Sequence, residues 1–385
     1  MDFDFLPNGR KVIWVRNEDL ELAVAEGGGH IAAVRLRGFQ EDANPFWQPS
    51  WPSHEPDEVT EELVEAEYGG RPEGRLLASI LGHSLALDLY GPPSAEETAA
   101  GGVTHGKAGV VRWKWETVGP ATVLGACKDD FAQLRFSRRL QVKGNSVIIE
   151  EKTKNLCNWD RPIGWQQHVS FGAPFCEEGF WAASNCDVGS THPQTFGPGA
   201  ALIPNTRTAW PLAPQRNGVR RDYGKPIEGD ATANDFTGYR VRKKDALGYF
   251  VAGNSNFGFA VAYLWPRQFF PWMGVWDERH ARTLKPWSGR ASVRAFEFGV
   301  SPFPETRREM LRRTPLFDLP TYLMLPAAGI HWVRYVLGVF PAAREAGTLK
   351  VSEETASLVE AGREMGRIAV PGSCASSKRV EMQTS

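Results

Sequence analysis

Short runs of alternating apolar and polar residues dominate this chain, and Gly, Asn and Pro punctuate them. Lys11-Val12-Ile13-Trp14-Val15, Leu20 to Ala25 and His30 to Leu36 read as strands, with Gly27-Gly28-Gly29 as the turn between the last two. That glycine run is followed by no helix and no Gly-Lys-Ser/Thr, so it is not a phosphate loop. The two-residue period recurs at Ile80 to Tyr90, Val111 to Thr117, Ala121 to Ala126, Ala132 to Val142 and Asn145 to Thr153, where Lys143-Gly144-Asn145 is a hairpin signal. It resumes at Leu247 to Ala252, Phe257 to Tyr263, Ala291 to Val300 and Thr321 to Val339. Helical periodicity is confined to a short basic helix at Thr306 to Arg313 and an amphipathic one near Glu353 to Ile368. Residues 176–245, with their prolines, glycines and scattered aromatics, read as a long loop-rich region. The pattern predicts one all-β domain over 1–341 with few short helices. A peripheral helix and a Ser-rich tail, expected to be disordered, follow over 342–385.

The length, 385 residues, suits one large domain or two ordinary ones, and neither a linker nor an internal repeat cuts the chain. A formal net charge of −1 carries no electrostatic footprint for nucleic acid or an anionic membrane. The five cysteines are an odd count without a CxxC pair, which favours reduced thiols in a cytoplasmic setting. The N-terminus lacks a secretory pattern, and no apolar run approaches the roughly 18 residues that span a bilayer. Residues 54–68 hold seven acidic side chains among few apolar ones, a solvated loop or short helix rather than a metal site. Fourteen tryptophans point to carbohydrate, because aromatic faces stack on the C–H faces of sugars; large β cores also use many aromatics.

Candidate chemistry centres on Gly164-Trp165-Gln166-Gln167-His168-Val169-Ser170-Phe171-Gly172. Strand alternation places His168 and Ser170 on one face and Gln167, Val169 and Phe171 on the other. A histidine on a rigid strand is a proton donor or acceptor near neutrality, or else a core histidine bonded to a carbonyl. His105 lies in Gly102-Val103-Thr104-His105-Gly106, where the glycines permit close backbone approach to a ligand. Glu297 stands between Phe296 and Phe298, and an apolar neighbourhood raises a carboxyl pKa toward the range of a general base. The alternative is a structural carboxylate paired with an arginine such as Arg294.

In this order the segments resemble the aldose 1-epimerase, or galactose mutarotase-like, superfamily. Gly74-Arg75 followed by Leu85 to Tyr90 is similar to its Gly-Arg segment, and Gly102 to Gly106 to its first histidine loop. Gly164, His168 and Phe171 match its Gly-x-x-x-His-x-x-Phe strand, and Glu297-Phe298-Gly299 its glutamate strand. The resemblance covers roughly residues 10–340. It implies a β-supersandwich of two large, twisted antiparallel sheets with an open cleft, and anomer interconversion with neither cofactor nor metal. Glu297 would remove the anomeric proton while His168, on the opposite side of the pyranose, protonates the ring oxygen. His105, Arg75 and Asp235 would bind hydroxyls, and Trp165, Trp272 and Trp276 would stack on the ring.

Several positions depart from the family. Ser170 replaces the usual aromatic, the first loop reads His-Gly-Lys-Ala-Gly, and Asp235 has unusual neighbours. These departures bear on the substrate, a small sugar or a glycan, more than on the fold. Two further readings share the cleft: a lyase or isomerase using His105, His168 and Glu297 as a 2-His-1-carboxylate metal set, and a sugar-binding protein without turnover.

Overall fold

The computed structural model describes residues 3–39, 43–227, 231–341, 347–352 and 354–370. Two antiparallel sheets of twelve and eight strands make up most of the structure. At the centre of the larger sheet run His83–Asp88, Arg161–Gly172, Ser292–Gly299, Trp272–Arg279 and Ala233–Val241, in that spatial order. The N-terminal strands extend one edge, and Cys186–Thr191 with Arg207–Ala209 the other. The smaller sheet runs from Phe180–Ser184 through Leu247–Asn254, Phe259–Pro266, Ile330–Pro341 and Ser146–Asn155 to Lys114–Thr117. This is the all-β supersandwich that the alternating pattern and the resemblance predict.

Alternation sorts the central strands into two chemically different faces. Leu85, Leu87, Trp165, Val169, Phe171, Met273, Val275, Phe296 and Phe298 point toward the smaller sheet and fill the inter-sheet core. Ala86, Tyr90, Phe236, Trp276, Val293 and Ala295 point outward, yet they are buried too, beneath Trp47, Trp51, Leu76, Leu77 and Trp287. A second apolar layer therefore covers the outer face where an open cleft is expected. It is built by the proline- and tryptophan-rich 44–52 segment, the helix Glu61–Tyr68 and the loop before Ser292.

The inter-sheet core encloses a buried ionic network. Arg138 and Glu151 pair at 2.7 Å, both fully buried, and Gln167 and Tyr335 donate to the same carboxylate. Burial of two charges costs several kcal/mol each in the absence of compensating bonds, and here the bonds are supplied. Gln167 is the sequence neighbour of His168 and points to the opposite face, so this network pins the strand that carries the histidine.

Two expectations are corrected. The 176–245 region is loop-rich, as expected, but its described residues also form strands, among them Ala233–Val241, so Asp235 lies within the large sheet and not in a loop. Near Glu353 to Ile368 the chain forms no helix. Thr348–Val351, Thr355–Glu360 and Arg363–Ala369 make a three-stranded sheet that covers Val336 and Phe340 with Leu349, Leu358 and Ile368. The reason lies in Ala361-Gly362, both at positive φ (44° and 83°), which turn the chain where a helix would continue. Gly74-Arg75 belongs to a four-residue helix, Gly74–Leu77. The expected disordered tail lies largely outside the described residues. Among the described residues no helix is long and apolar enough to cross a membrane. Cys127, Cys157, Cys176 and Cys186 are buried and free, and Cys374 lies outside the described residues.

Candidate functional site

His168 and Glu297 face each other directly across two neighbouring central strands. Directly opposed residues in an antiparallel pair bring their Cβ atoms within about 5 Å, so the side chains meet without any special loop. His168 Nε2 lies 3.2 Å from Glu297 Oε1. The other carboxyl oxygen, Oε2, accepts a 2.6 Å hydrogen bond from the Tyr90 hydroxyl. His168 Nδ1 sits 3.0 Å from Ser170 Oγ, two residues along the same face. The result is a continuous chain, Tyr90–Glu297–His168–Ser170, on the outer face of the large sheet.

His105 completes the cluster from a loop, its ring centroid 5.2 Å from that of His168. The backbone places it there by an unusual local path. His105 has φ 65°, and a Cβ on Gly106 (φ 73°) would lie 1.8 Å from the Leu87 carbonyl oxygen. The close approach permitted by this glycine is thus to the neighbouring strand, and the His105 carbonyl accepts from the Leu87 amide at 2.9 Å. His105 Nδ1 and Ser84 Oγ are buried without a hydrogen-bond partner. Ser84 is paired directly with His168 in the sheet, so both unpaired atoms border the histidine.

Dryness sets the electrostatics. Glu297 is 2% exposed and His168 4%. Burial pushes the Glu297 carboxyl up to about 8, against the opposing pull of the Tyr90 hydrogen bond. Burial, and then the neighbouring His105, hold His168 well below the ordinary imidazole value. Burial also lowers His105, to about 4. Near neutral pH the cluster therefore consists of a protonated carboxyl and uncharged imidazoles. The flanking phenylalanines do not create this environment. Phe296 and Phe298 point into the inter-sheet core, and the apolar cover over Glu297 comes from the Trp47, Trp276 and Trp287 layer. Nor does Arg294 neutralise the carboxyl, because its guanidinium is bonded to Asp277 at 2.6 and 2.9 Å.

The expected site residues divide accordingly. Glu297, His168 and His105 come together, and Trp276 packs edge-on against His168 with centroids 5.7 Å apart. Trp165 does not join them: it points to the opposite face, fully buried, and donates to Glu151. Asp235 also points to that opposite face, as the partner of Asp277 in the sheet, and binds the amides of Ala201 and Leu202. Trp272 shares the outer face but is sealed by Phe317 and donates to the Pro320 carbonyl. The Arg75 guanidinium is engaged by Glu61 and the Val59 carbonyl. Each of these four thus already has a structural partner.

Tyr90 and Ser170 are the members that the sequence reading missed. Alternation already sets Ser170 on the His168 face, whereas Tyr90 lies past the strand end at Asp88 (φ 74°), where alternation no longer fixes a face. The expected acid and base, Glu297 and His168, touch on one face of the sheet. Among the described residues no group of three or more His, Cys, Asp and Glu side chains is disposed to hold a metal ion.

No family model matches the sequence, and neither does any curated protein. Solved structures do match the fold. A candidate aldose 1-epimerase from Klebsiella pneumoniae aligns with TM-score 0.61 at 14% identity, over 87% of this chain and 81% of that one. A candidate aldose 1-epimerase from Escherichia coli K12 gives 0.58 at 11% identity, covering 86% and 100%. A galactose mutarotase related enzyme from Lactobacillus acidophilus gives 0.56 at 12% identity, covering 87% and 99%. The chain shares the fold of these proteins at 11–14% sequence identity.

Proposed function

We propose that this protein is an aldose 1-epimerase-like isomerase that interconverts sugar anomers with Glu297 and His168 as one proton-transfer pair. The observation that carries the reading is the direct Glu297–His168 contact in a dry site, with the carboxyl raised to about 8. Such a pair holds one exchangeable proton over the neutral range, which is what opening and closing a hemiacetal requires.

The contact between the two groups suits this chemistry because both reacting oxygens are bonded to the same carbon. His168 Nε2 takes the proton from the anomeric hydroxyl while the Glu297 carboxyl gives its proton to the ring oxygen. The bond from C1 to the ring oxygen breaks, and a carbonyl forms at C1. Rotation about C1–C2 presents the other carbonyl face. The freed hydroxyl then attacks C1, returning its proton to Glu297, and His168 reprotonates the former carbonyl oxygen. The pair ends as it began. In the opening step Glu297 is the acid and His168 the base, the reverse of the assignment that the resemblance implies, and in the closing step the roles exchange.

Tyr90 and Ser170 are positioning residues in this scheme: one fixes the carboxyl, the other the imidazole. His105 Nδ1 and Ser84 Oγ are free to bond sugar hydroxyls. The test is saturation-transfer NMR of anomer exchange on a panel of aldoses. Wild-type protein should accelerate exchange of at least one sugar, and Glu297→Gln, which keeps shape but cannot transfer the proton, should not. Acceleration that survives Glu297→Gln would overturn the assignment.

A further inference from the structure

Glu297 and His168 are buried, yet the proposed reaction needs a sugar to reach them, so part of the cover must move. Two loops meet over this part of the outer face. Residues 192–200 lay Phe196 on Phe236, and Arg216 ties them down through the Ala200 carbonyl and the Thr195 hydroxyl. Residues 280–291 carry Arg282 and Trp287 over Trp276. The seam between the loops lies at Gly199 and Ala281, where a Cβ on Gly199 would fall 2.8 Å from that of Ala281.

The second loop is built to move as a unit. Its ends are joined, the His280 amide donating to the Ala291 carbonyl at 2.9 Å just beyond the paired Arg279 and Ser292. Within it the amides of Ser288, Gly289 and Arg290 donate to the carbonyls of Leu284, Arg282 and Trp287, and His280 Nδ1 meets the Gly289 carbonyl at 2.8 Å. A compact loop with joined ends and its own hydrogen bonds swings on its stem without unravelling and without breaking strand pairing. His280 (φ 54°) and Ser288 (φ 49°) hold left-handed backbone, so a hinge motion that relaxes either of them releases strain.

One buried carboxylate holds this loop to the sheet. Glu278 Oε1 accepts from the amides of Ala281 at 2.9 Å and Arg282 at 3.1 Å, and Oε2 lies 3.3 Å from Arg282 Nε. At the far end Lys285 Nζ donates to the Ala66 carbonyl at 3.0 Å, and Trp287 stacks on Trp47 with centroids 5.9 Å apart. Against these ties, Trp287 Nε1 and Asn234 Nδ2 beneath the loop are buried without a hydrogen-bond partner, and each gains one from water when the loop lifts. We infer that residues 280–291 are a hinged lid over the Glu297–His168 pair, latched by Glu278 and seated by Trp287, and that its opening admits the substrate. Trp276 stands edge-on against His168 and is backed by Arg282 and Trp287; with the lid raised it loses that backing and turns away from the imidazole. The inference rests on the proposed reaction only for what passes the lid.

The experiment staples the lid shut in the full chain. Ala66→Cys and Lys285→Cys, both at exposed positions, are bridged by a short disulfide-cleavable bis-maleimide in a Cys374→Ser background. Diethyl pyrocarbonate labelling of His105 and His168 is followed by mass spectrometry, with His83 of the inter-sheet core as the reference, beside anomer exchange by NMR. Unstapled, His105 and His168 should react about tenfold faster than His83; the staple should remove that advantage and linker reduction should restore it. Arg282→Gln, which breaks the ion pair of the latch, should speed labelling about fivefold. Labelling no faster than that of His83, or unchanged by the staple, overturns the lid even where anomers exchange, and an Arg282→Gln rate equal to wild type overturns the latch. Staple-sensitive labelling without anomer exchange in the unstapled protein upholds the lid and overturns the proposed reaction.

Discussion

Replacing Tyr90 with phenylalanine removes the hydroxyl that donates to the proton-transfer pair and leaves the ring that packs in the outer layer. The lost interaction is the 2.6 Å hydrogen bond to Glu297 Oε2, which opposes the upward push of burial. A hydrogen bond to a charged group contributes about 1.5–3 kcal/mol, or roughly one to two pH units of stabilisation for the ionised carboxyl. Glu297 should therefore titrate roughly one to two units above its value of about 8. In the proposed scheme the pair works only while it holds its proton, so activity falls as pH rises through the carboxyl pKa. At pH 9 the wild type should keep about a tenth of its neutral-pH rate and Tyr90→Phe about half or more. The assay is the pH dependence of kcat/KM for anomer exchange. An alkaline limb that stays near pH 8 in the variant would refute the role of Tyr90. A wild-type rate that rises through pH 8 would refute the protonated pair and restore Glu297 as the initial base.

Stability should follow the same charges. Glu297 binds its proton more tightly folded than unfolded, so it lowers stability as pH rises from about 4.5 to about 8, by on the order of 1.4 kcal/mol per unit. Glu297→Gln should then be several kcal/mol more stable than wild type at pH 8 and only slightly so at pH 5, as measured by chemical denaturation. His83 and His105, lowered by burial to about 3 and about 4, act with the opposite sign over an overlapping window. The unfolded chain takes up their protons first, so stability should fall as pH drops from about 6.5 toward 4, and potentiometry should register proton uptake on unfolding at pH 5. Ser170→Ala should lower kcat about tenfold through loss of the Nδ1 contact, with Ser170→Thr restoring much of it. Glu151→Leu should cost about 3–5 kcal/mol in a denaturation curve, because it strands Arg138 as an unpaired charge in the inter-sheet core.

How far the sequence is legible here depends on the physics behind each feature. Period-two alternation is local, so the strands at Leu20–Ala25 and Ser292–Gly299 could be read almost to the residue. It also assigned His168 and Ser170 to one face. Glu297, His168 and His105 converge because two sit on adjacent central strands and the third on a loop pinned to Leu87. The same rule, applied strictly, separates Trp165 from them, since alternation along Arg161–Gly172 puts it on the other face, whereas Asp235 lies in a region read as loop and only its pairing with Asp277 shows its face. What alternation cannot show is what lies above a face. Trp47, Trp51 and Trp287 come from segments without periodicity, and their packing turns an expected open cleft into a covered site. Glu353 to Ile368 fails for a different reason: its apolar spacing fits either period, and the Ala361-Gly362 turn decides.

The central claim is that one proton is shared by Glu297 and His168 and rests on the carboxyl at neutral pH. Carbon-13 NMR of glutamate-labelled protein, with Glu297→Gln to assign the resonance, reads that proton directly. A Glu297 carboxyl that is protonated at pH 7 and titrates near pH 8 is the predicted result. A carboxyl already ionised at pH 6 would contradict it.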